Sequence, residues 1–281
     1  MGKFDGVLLA SDFDNTLIYT EEALRTGQPI PPLSAGNRAA LERFMEQGGR
    51  FCVATGRALP AFERLTGLVP FNAPCVICNG AAIYDFEQGA YLETALLPGQ
   101  TRERVQPVLD AFPEVGVEAY HVENVIHAVH VNEFVRAHEH LTGVRVEERE
   151  SLLEVPGPLG KLLFEAEHEA LLEVEAYIRG RGWADGYELI YSGKTLLELT
   201  AKGASKGGML LKLADRLGIG RGDVYAVGDE RNDISMLTAA AVGFAPANCA
   251  EAVRECGARL VCDARGDALA EVIAALDERY A

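Results

Sequence analysis

Short apolar segments alternate with helix-like segments through the first hundred residues, and the alternation resumes after residue 205. The apolar segments 6–12, 50–55, 75–78 and 223–227 have the length and composition of buried strands. Strands that alternate with helices form right-handed βαβ crossovers, which build a mostly parallel sheet. The pattern therefore predicts a doubly wound α/β core.

The middle of the chain has a different order of predicted strands and helices. Residues 81–93 resemble a hairpin that turns near Gln88 and Gly89, and further strand-like and helix-like segments follow, ending in two adjacent strands, "YELIYS" and "LLELT". This mixture predicts an α+β insertion. We expect a Rossmann-like core of residues 1–83 and 193–281, with residues 84–192 forming an inserted cap that determines substrate specificity.

Charge and hydropathy exclude several classes of partner. The formal net charge is −16, which argues against a nucleic-acid or anionic membrane surface, because phosphate backbones select faces rich in Lys and Arg. No apolar run approaches the roughly 20 residues of a membrane helix, and Asp5 and Asp12 interrupt any signal-peptide core. We expect a cytoplasmic protein whose partner is a small molecule, while the oligomeric state is left open.

Common motifs of other enzyme classes do not fit. Gly218-Ile-Gly220 follows a helix, so it is not a dinucleotide fingerprint, and the spacing from Gly186 to Gly193 is too long for a P-loop. The histidine pairs of the insertion, including His138 and His140, have no acidic residue at metal-site spacing, and no metal role is expected for them. Cys75 and Cys78 are expected to be core cysteines.

Polar residues follow the predicted strands at their carboxyl ends, where open α/β sheets bind ligands. Four strand ends and the start of one helix contribute them: Asp12, Asp14 and Thr16; Thr55 and Arg57; Asn79; Asp229, Asn232 and Asp233; and Lys206. If all are ionised, four aspartates and one lysine carry a charge of about −3, and two carboxylates ~4 Å apart repel by about 4 kcal/mol at an effective dielectric of 20. The cluster therefore needs protons or a hard cation. Oxygen ligands without His or Cys favour Mg²⁺.

In this order, the motifs "DFDNT" (12–16), "VATGR" (53–57), "KGASKG" (202–207) and "GDERND" (228–233) resemble those of the haloacid-dehalogenase-like hydrolase superfamily. The large insertion resembles the cap of the Cof-like and sucrose-phosphatase-like branch. One departure is Asn15, where this branch usually has Gly, and Asn tolerates unusual backbone conformations better than most residues.

The resemblance implies a Mg²⁺-dependent phosphatase that hydrolyses small phosphorylated metabolites, such as sugar-phosphate-like monoesters, through an aspartyl-phosphate. Asp12 would be the nucleophile and Asp14 the general acid and base. Other roles are implied in the same way: Thr55, Lys206 and Asn232 would hold the phosphate, and Asp12, Asp14 through its carbonyl, Asp229 and Asp233 would bind Mg²⁺. Arg57 and Asn79 would order the loops or touch the substrate, and Thr16 would fix its loop.

Three alternatives remain. A phosphotransferase such as a phosphomutase would share these residues and differ in what accepts the phosphoryl group. A dehalogenase does not need the second carboxylate of the first motif, which Asp14 supplies here. A non-enzymatic phospho-acceptor module would be about half this length and would lack the large cap.

Overall fold

The computed structural model describes residues 2–121 and 125–281. The chain forms two compact units: a core unit of residues 2–57, 62–92 and 205–281, and a cap unit of residues 58–61 and 93–204. Both boundaries of the long insertion lie further along the chain than the expected 84 and 192. The reason is strand pairing, because the strand Ala82–Asp85 and the first three residues of the strand Ala90–Thr94 stay with the core unit and the last two adjacent strands of the insertion stay together in the cap unit.

The strands in chain order are β1 (Leu8–Ser11), β2 (Arg50–Val53), β3 (Cys75–Ile77), β4 (Ala82–Asp85), β5 (Ala90–Thr94), β6 (Gly116–His121), β7 (Ile126–Val129), β8 (Glu147–Glu148), β9 (Leu159–Glu165), β10 (Tyr187–Gly193), β11 (Leu196–Ala201), β12 (Val224–Val227), β13 (Val242–Pro246) and β14 (Arg259–Val261). The helices are α1 (Glu21–Thr26), α2 (Ala35–Glu46), α3 (Leu59–Glu63), α4 (Thr101–Ala111), α5 (Glu133–Thr142), α6 (His168–Arg179), α7 (Lys206–Leu217), α8 (Ile234–Ala239), α9 (Glu251–Glu255) and α10 (Ala268–Arg279). Single 3-10 turns occur between them, two of which, Cys78–Gly80 and Arg231–Asp233, bear on the site.

The core unit is built on a five-stranded parallel sheet in the order β14-β13-β12-β1-β2. Helix α2 packs against α10 and α7 packs against α8, as in a doubly wound sheet. The central strands β1 and β12 are fully buried, with Leu8 opposite Val224 and Ser11 opposite Val227. The predicted α/β fold class is confirmed, and the register places the carboxyl ends of β1 and β12 side by side.

The third predicted strand departs from the expected parallel sheet. β3 pairs antiparallel with β4 in a separate sheet ordered β3-β4-β5, and a single bridge between Ala54 and Val76 links it to the end of β2. Thr55 N donates to Val76 O at 2.9 Å beside this bridge, and β3 forms its ladder with β4 instead. The loop after β3 nevertheless lies beside that after β2, because Asn79 N donates to Thr55 O at 3.0 Å.

The cap unit contains a six-stranded mixed sheet in the order β10-β11-β9-β6-β7-β8. One face of this sheet packs its alternate apolar residues, such as Val117 and Phe164, into a hydrophobic core with α4 and α6. The other face carries polar side chains. In residues 2–121 and 125–281, no helix is long and apolar enough to cross a membrane.

Candidate active site

Asp12 follows the last residue of β1 and is 6% exposed. Its main-chain N–H donates to Val227 O at the end of β12, at 2.9 Å, so the parallel pairing continues one residue beyond the strand. Burial, together with the charges of Asp233 and Asp14, raises the pKa of Asp12 to about 7 against the opposing charge of Lys206. A carboxylate in this position is held by the sheet rather than by a mobile loop.

Lys206 begins α7 and lies between two of the aspartates. Its Nζ is 2.6 Å from Oδ1 of Asp12 and 2.6 Å from Oδ1 of Asp233, and the residue is 1% exposed. The N-cap side chain of Ser205 accepts a hydrogen bond from Gly208 N and fixes the start of the helix. Burial by itself would lower the pKa of Lys206, but the two carboxylates outweigh it and raise the pKa, so the ammonium stays charged.

The loop after β12 supplies two further carboxylates. Oδ2 of Asp233 accepts from the main-chain N–H groups of Asp229 and Glu230, at 2.9 and 3.0 Å, and so closes the loop on itself. Asp229 is 4% exposed, and Thr16 Oγ1 donates to its Oδ1 at 2.6 Å. This hydrogen bond of Thr16, a residue expected to fix its loop, joins two loops that are 213 positions apart in the chain.

Asp12, Asp229 and Asp233 form a candidate cation site, since one carboxylate oxygen from each lies within 4.8 Å of the others. Burial, and then the charges of Asp12 and Asp233, raise the pKa of Asp229 to about 9. Such a group of buried carboxylates ionises fully only beside additional positive charge. The donors are all oxygens, which suits a hard divalent cation, so the residues present fit the metal that the motifs imply.

The carboxylate of Asp14 is bound by the guanidinium group of Arg57. Arg57 Nε and Nη2 donate to the two carboxylate oxygens, each at 2.8 Å, and Thr20 Oγ1 donates to Oδ1 at 2.7 Å. Burial by itself would raise the pKa of Asp14, but Arg57 and Thr20 lower it below its ordinary value. Arg57 therefore forms a two-point ion pair with Asp14. Thr20 lies outside the four sequence motifs, and nothing in its local sequence marks it as a partner of Asp14.

Asn15 adopts a left-handed backbone conformation in the turn that follows Asp12. Its φ is 57°, in the left-handed region that Asn tolerates. Its side-chain Oδ1 accepts hydrogen bonds from Thr20 N and Glu21 N, at 3.1 and 3.0 Å. Asn248 Nδ2 donates to its carbonyl at 2.9 Å. A glycine would supply the same backbone conformation but neither of the contacts at the start of α1.

Thr55, Asn79 and Asn232 lie at neighbouring loops of the core unit. Thr55 Oγ1 accepts a hydrogen bond from Arg57 N at 3.1 Å. Asn232 Nδ2 donates to Asn79 Oδ1 at 3.0 Å, while Oδ1 of Asn232 is buried and has no hydrogen-bond partner among the residues that the structure describes. A half-turn of both amides would keep their contact and present an N–H group of Asn232 instead, which suits an anion.

These contacts bring the sequence-predicted side chains together in three groups within the core unit. They are Asp12 with Lys206, Asp229, Asp233 and Thr16; Asp14 with Arg57 and Thr55; and Asn79 with Asn232.

Several known proteins resemble this chain over nearly its whole length. Pyridoxal phosphate phosphatase YbhA of Escherichia coli (strain K12) is 26% identical, over 95% of this chain and 97% of its own. The 5-amino-6-(5-phospho-D-ribitylamino)uracil phosphatase YitU of Bacillus subtilis (strain 168) is also 26% identical, over 95% and 96%. The crystal structure of a haloacid dehalogenase-like hydrolase from Bacteroides thetaiotaomicron superimposes with a TM-score of 0.78 at 24% identity, covering 96% of this chain and 99% of that one.

A model of one protein family covers nearly the whole chain. It is described as haloacid dehalogenase-like hydrolase and matches residues 9–273, which include every motif quoted above. The predicted superfamily, its cap-bearing branch and the phosphatase class of enzyme are confirmed by these likenesses. The chain therefore belongs to the haloacid dehalogenase-like hydrolase family.

Proposed function

We propose that this protein is a Mg²⁺-dependent phosphatase of small phosphorylated metabolites, and that Asp12 is its nucleophile. The observation that carries the assignment is the position of Lys206, whose Nζ is 2.6 Å from both Asp12 and Asp233. A buried ammonium between carboxylates at the carboxyl ends of parallel strands provides charge that a phosphoryl group can share.

The cation would be held by Asp12 and Asp229 together with the carbonyl of Asp14, and Asp233 would support them. Both oxygens of Asp233 already accept hydrogen bonds, one from Lys206 and the other from the main chain, which suits a residue that orients the site. When bound, Mg²⁺ would neutralise carboxylate charge and polarise a phosphoryl oxygen. The oxygen-only donor set supports Mg²⁺ over softer ions.

The first half of the reaction would transfer the phosphoryl group to the protein. A carboxylate oxygen of Asp12 forms a bond to phosphorus, the bond from phosphorus to the ester oxygen breaks, and Asp14 gives its proton to the departing alcohol. Lys206, the hydroxyl of Thr55 and the amide of Asn232 would bind the phosphoryl oxygens. The stable sheet position of Asp12 fixes the line of attack.

The second half would release phosphate. Ionised Asp14 takes a proton from a water molecule, the water oxygen attacks phosphorus, and the bond to Asp12 breaks, which restores the carboxylate. Arg57 and Thr20 support this role because they lower the pKa of Asp14 and so favour its ionised form. Proton donation in the first half requires the protonated form, so we propose that the contact between Arg57 and Asp14 weakens when the substrate's phosphate enters and forms again once the alcohol has left.

The substrate is proposed to be a phosphate monoester of metabolite size, and the compounds named for the relatives are the first to test: pyridoxal phosphate and 5-amino-6-(5-phospho-D-ribitylamino)uracil. The cap unit is proposed to determine which of them is accepted. A cytoplasmic location is part of the proposal, and it is supported by the absence of any disulfide among the six cysteines, all of which lie in the described residues.

The test is turnover of 4-nitrophenyl phosphate and of these two esters by purified protein, with Mg²⁺ and then with excess EDTA. We expect equal amounts of alcohol and inorganic phosphate with Mg²⁺, and loss of both with EDTA. Equal rates in EDTA would refute the metal assignment. Alcohol formed in excess of inorganic phosphate, with the phosphoryl group recovered on a second alcohol, would identify a phosphotransferase instead.

A further inference from the structure

The polar face of the cap sheet carries buried ionisable side chains that the proposed chemistry does not use. Glu118 on β6 and Glu165 on β9 are 1% and 0% exposed. The register places Gly116 opposite Glu165 in this antiparallel pair, so Glu118 lies diagonally across from Glu165 on the same face. Helix α5 packs on β6, with Val135 and Asn132 directly over Gly116, and it brings His138 to the two carboxylates.

The three side chains converge on one point. His138 Nδ1 is 3.0 Å from Oε2 of Glu118 and 4.0 Å from Oε1 of Glu165. One ligand atom from each of the three lies within 4.8 Å of the others. Both carboxylate oxygens of Glu165 are buried, and neither accepts a hydrogen bond from any donor in the residues that the structure describes. A fully buried carboxylate without a donor is costly, because it has lost its hydration and gained nothing in return.

We propose that Glu118, His138 and Glu165 form a second divalent metal site, specific to the cap unit and distinct from the site at Asp12. Metal–ligand bonds of about 2.1 Å place neighbouring ligand atoms roughly 3.0 to 3.4 Å apart, and opposite ones about 4.2 Å apart. The distance of 3.0 Å from the imidazole nitrogen to Glu118 matches neighbouring ligand atoms, and the 4.0 Å to Glu165 lies between the values for neighbouring and opposite ones. A small movement of the Glu165 side chain would bring all three ligand atoms to the distances that a bound ion requires.

The donor set selects the ion. One imidazole with two carboxylates suits Zn²⁺ and similar first-row transition ions, whereas Mg²⁺ prefers oxygen ligands and water. A divalent ion would also balance the two carboxylates, since Lys161, whose charge acts on Glu165, has its own carboxylate partner in Glu198 at 3.1 Å. The imidazole side chain is 15% exposed, which leaves the ion a route from solvent.

The surroundings orient the ligands as they do in known metal sites. Tyr120 on β6 donates its phenolic hydrogen to Oε2 of Glu118. Asn132, the N-cap of α5, donates from Nδ2 to the carbonyl of Glu165 at 2.8 Å and accepts from Val135 N. An ion here would therefore tie α5 to β6 and β9 and stabilise the cap unit.

The sharpest competing explanation is a proton shared between the two carboxyls. Burial, and then the neighbouring charge of Glu118, raise the pKa of Glu165 to about 9, and a protonated Glu165 would also relieve the repulsion. The two explanations predict different numbers of bound metal ions, because a shared proton requires no metal in the cap unit.

The experiment counts Zn²⁺ bound by the full chain carrying Asp12→Asn and Asp229→Asn, which remove the carboxylates proposed to hold the other ion. After removal of metal with EDTA, this parent is dialysed against buffered Zn²⁺ at neutral pH, and bound metal is measured by mass spectrometry. We expect His138→Gln and Glu165→Gln each to bind one equivalent less than the parent. His140→Gln, on the exposed side of the same helix, is the matched control and should bind as much as the parent.

Co²⁺ provides a second readout that does not depend on counting. The parent and His140→Gln should show the same visible absorption bands of a bound ion, and His138→Gln should lose them. Zn²⁺ should also raise the Tm of the parent but not of Glu165→Gln. Equal metal binding by His138→Gln, Glu165→Gln and His140→Gln, or a parent that binds no Zn²⁺, would overturn the proposal in favour of the shared proton.

Discussion

At the scale of single residues, the environment that shifts the pKa of Asp12 also affects the stability of the folded protein. The pKa of Asp12 is raised to about 7 by burial and by nearby charges. Because this value lies above that of the unfolded chain, the folded protein retains a proton that the unfolded chain releases as the pH rises from about 4 to 7. The contribution of Asp12 to the free energy of unfolding therefore falls over this range.

Asp12→Asn removes this penalty together with the nucleophile. In EDTA at pH 8 we expect the variant to melt at a higher temperature than the wild type, as followed by circular dichroism, and to turn over 4-nitrophenyl phosphate with Mg²⁺ about 10³-fold more slowly or worse. Asp215→Asn, on an exposed part of α7, is the control and should change neither quantity. A variant that keeps a tenth of wild-type turnover would rule out Asp12 as the nucleophile.

The contact between Arg57 and Asp14 predicts a change in the pH profile. Arg57→Gln removes the charge that lowers the pKa of Asp14, so this pKa should rise. If ionised Asp14 activates water, the acidic limb of the kcat profile should move to higher pH, in addition to any loss in maximal rate.

The control for this prediction is Arg25→Gln, an exposed residue in the last turn of α1. It should leave the profile unchanged. A lower rate for Arg57→Gln with an unmoved acidic limb would mean that the arginine only orders its loop.

At the scale of elements, the start of α7 and the loop after β3 approach each other closely. Gly80 has a φ of 92°, and a Cβ there would lie 2.2 Å from the carbonyl carbon and oxygen of Ser205. Gly80→Ala should therefore shift the first turn of α7, which carries Lys206, and lower the free energy of unfolding by about 2–4 kcal/mol.

Urea denaturation measures the stability, and inhibition by inorganic phosphate measures the position of Lys206. We expect the inhibition constant to rise in Gly80→Ala. Gly67→Ala is the matched control, since nothing lies within 4 Å of its Cβ position and its φ is not positive. If both variants were equally stable and equally inhibited, the close approach of Gly80 to Ser205 would not determine the position of Lys206.

The amino-acid sequence predicts those parts of the fold and site that depend on short, local residue patterns. The apolar segments and the polar residues at their ends predicted β1, β2 and β12 and the side chains that meet there, because strand composition and parallel topology together place those ends at one edge. It could not foresee contacts that depend on register. Glu118, His138 and Glu165 looked unrelated, since the pairing of β6 with β9 and the packing of α5 bring them together, and neither is encoded in spacing. Thr20 lies only six positions from Asp14, but the conformation of the turn between them, rather than a residue pattern, brings the two side chains together.

At the scale of the whole molecule, the division into two units predicts where the chain tolerates exchange. Crossing points after Leu92 and Ala204 keep β3 paired with β4 and leave β10 and β11 together in one sheet. Exchange of residues 84–192 would separate Tyr84 from its partner Cys75, and would also cut the hairpin in which Gly193 pairs with Leu196. Backbone groups left without their ladder partners are costly when buried.

We therefore expect a chimera that replaces residues 93–204 with the matching segment of a relative of different specificity to fold, and one that replaces residues 84–192 to fail. Size-exclusion chromatography and thermal melting distinguish the two. The folded chimera should prefer the donor's phosphate ester while it still needs Mg²⁺ and Asp12, because the core unit contains all the residues proposed for phosphoryl transfer. A folded chimera that retained the original substrate profile would place specificity in the core unit and refute the role proposed for the cap.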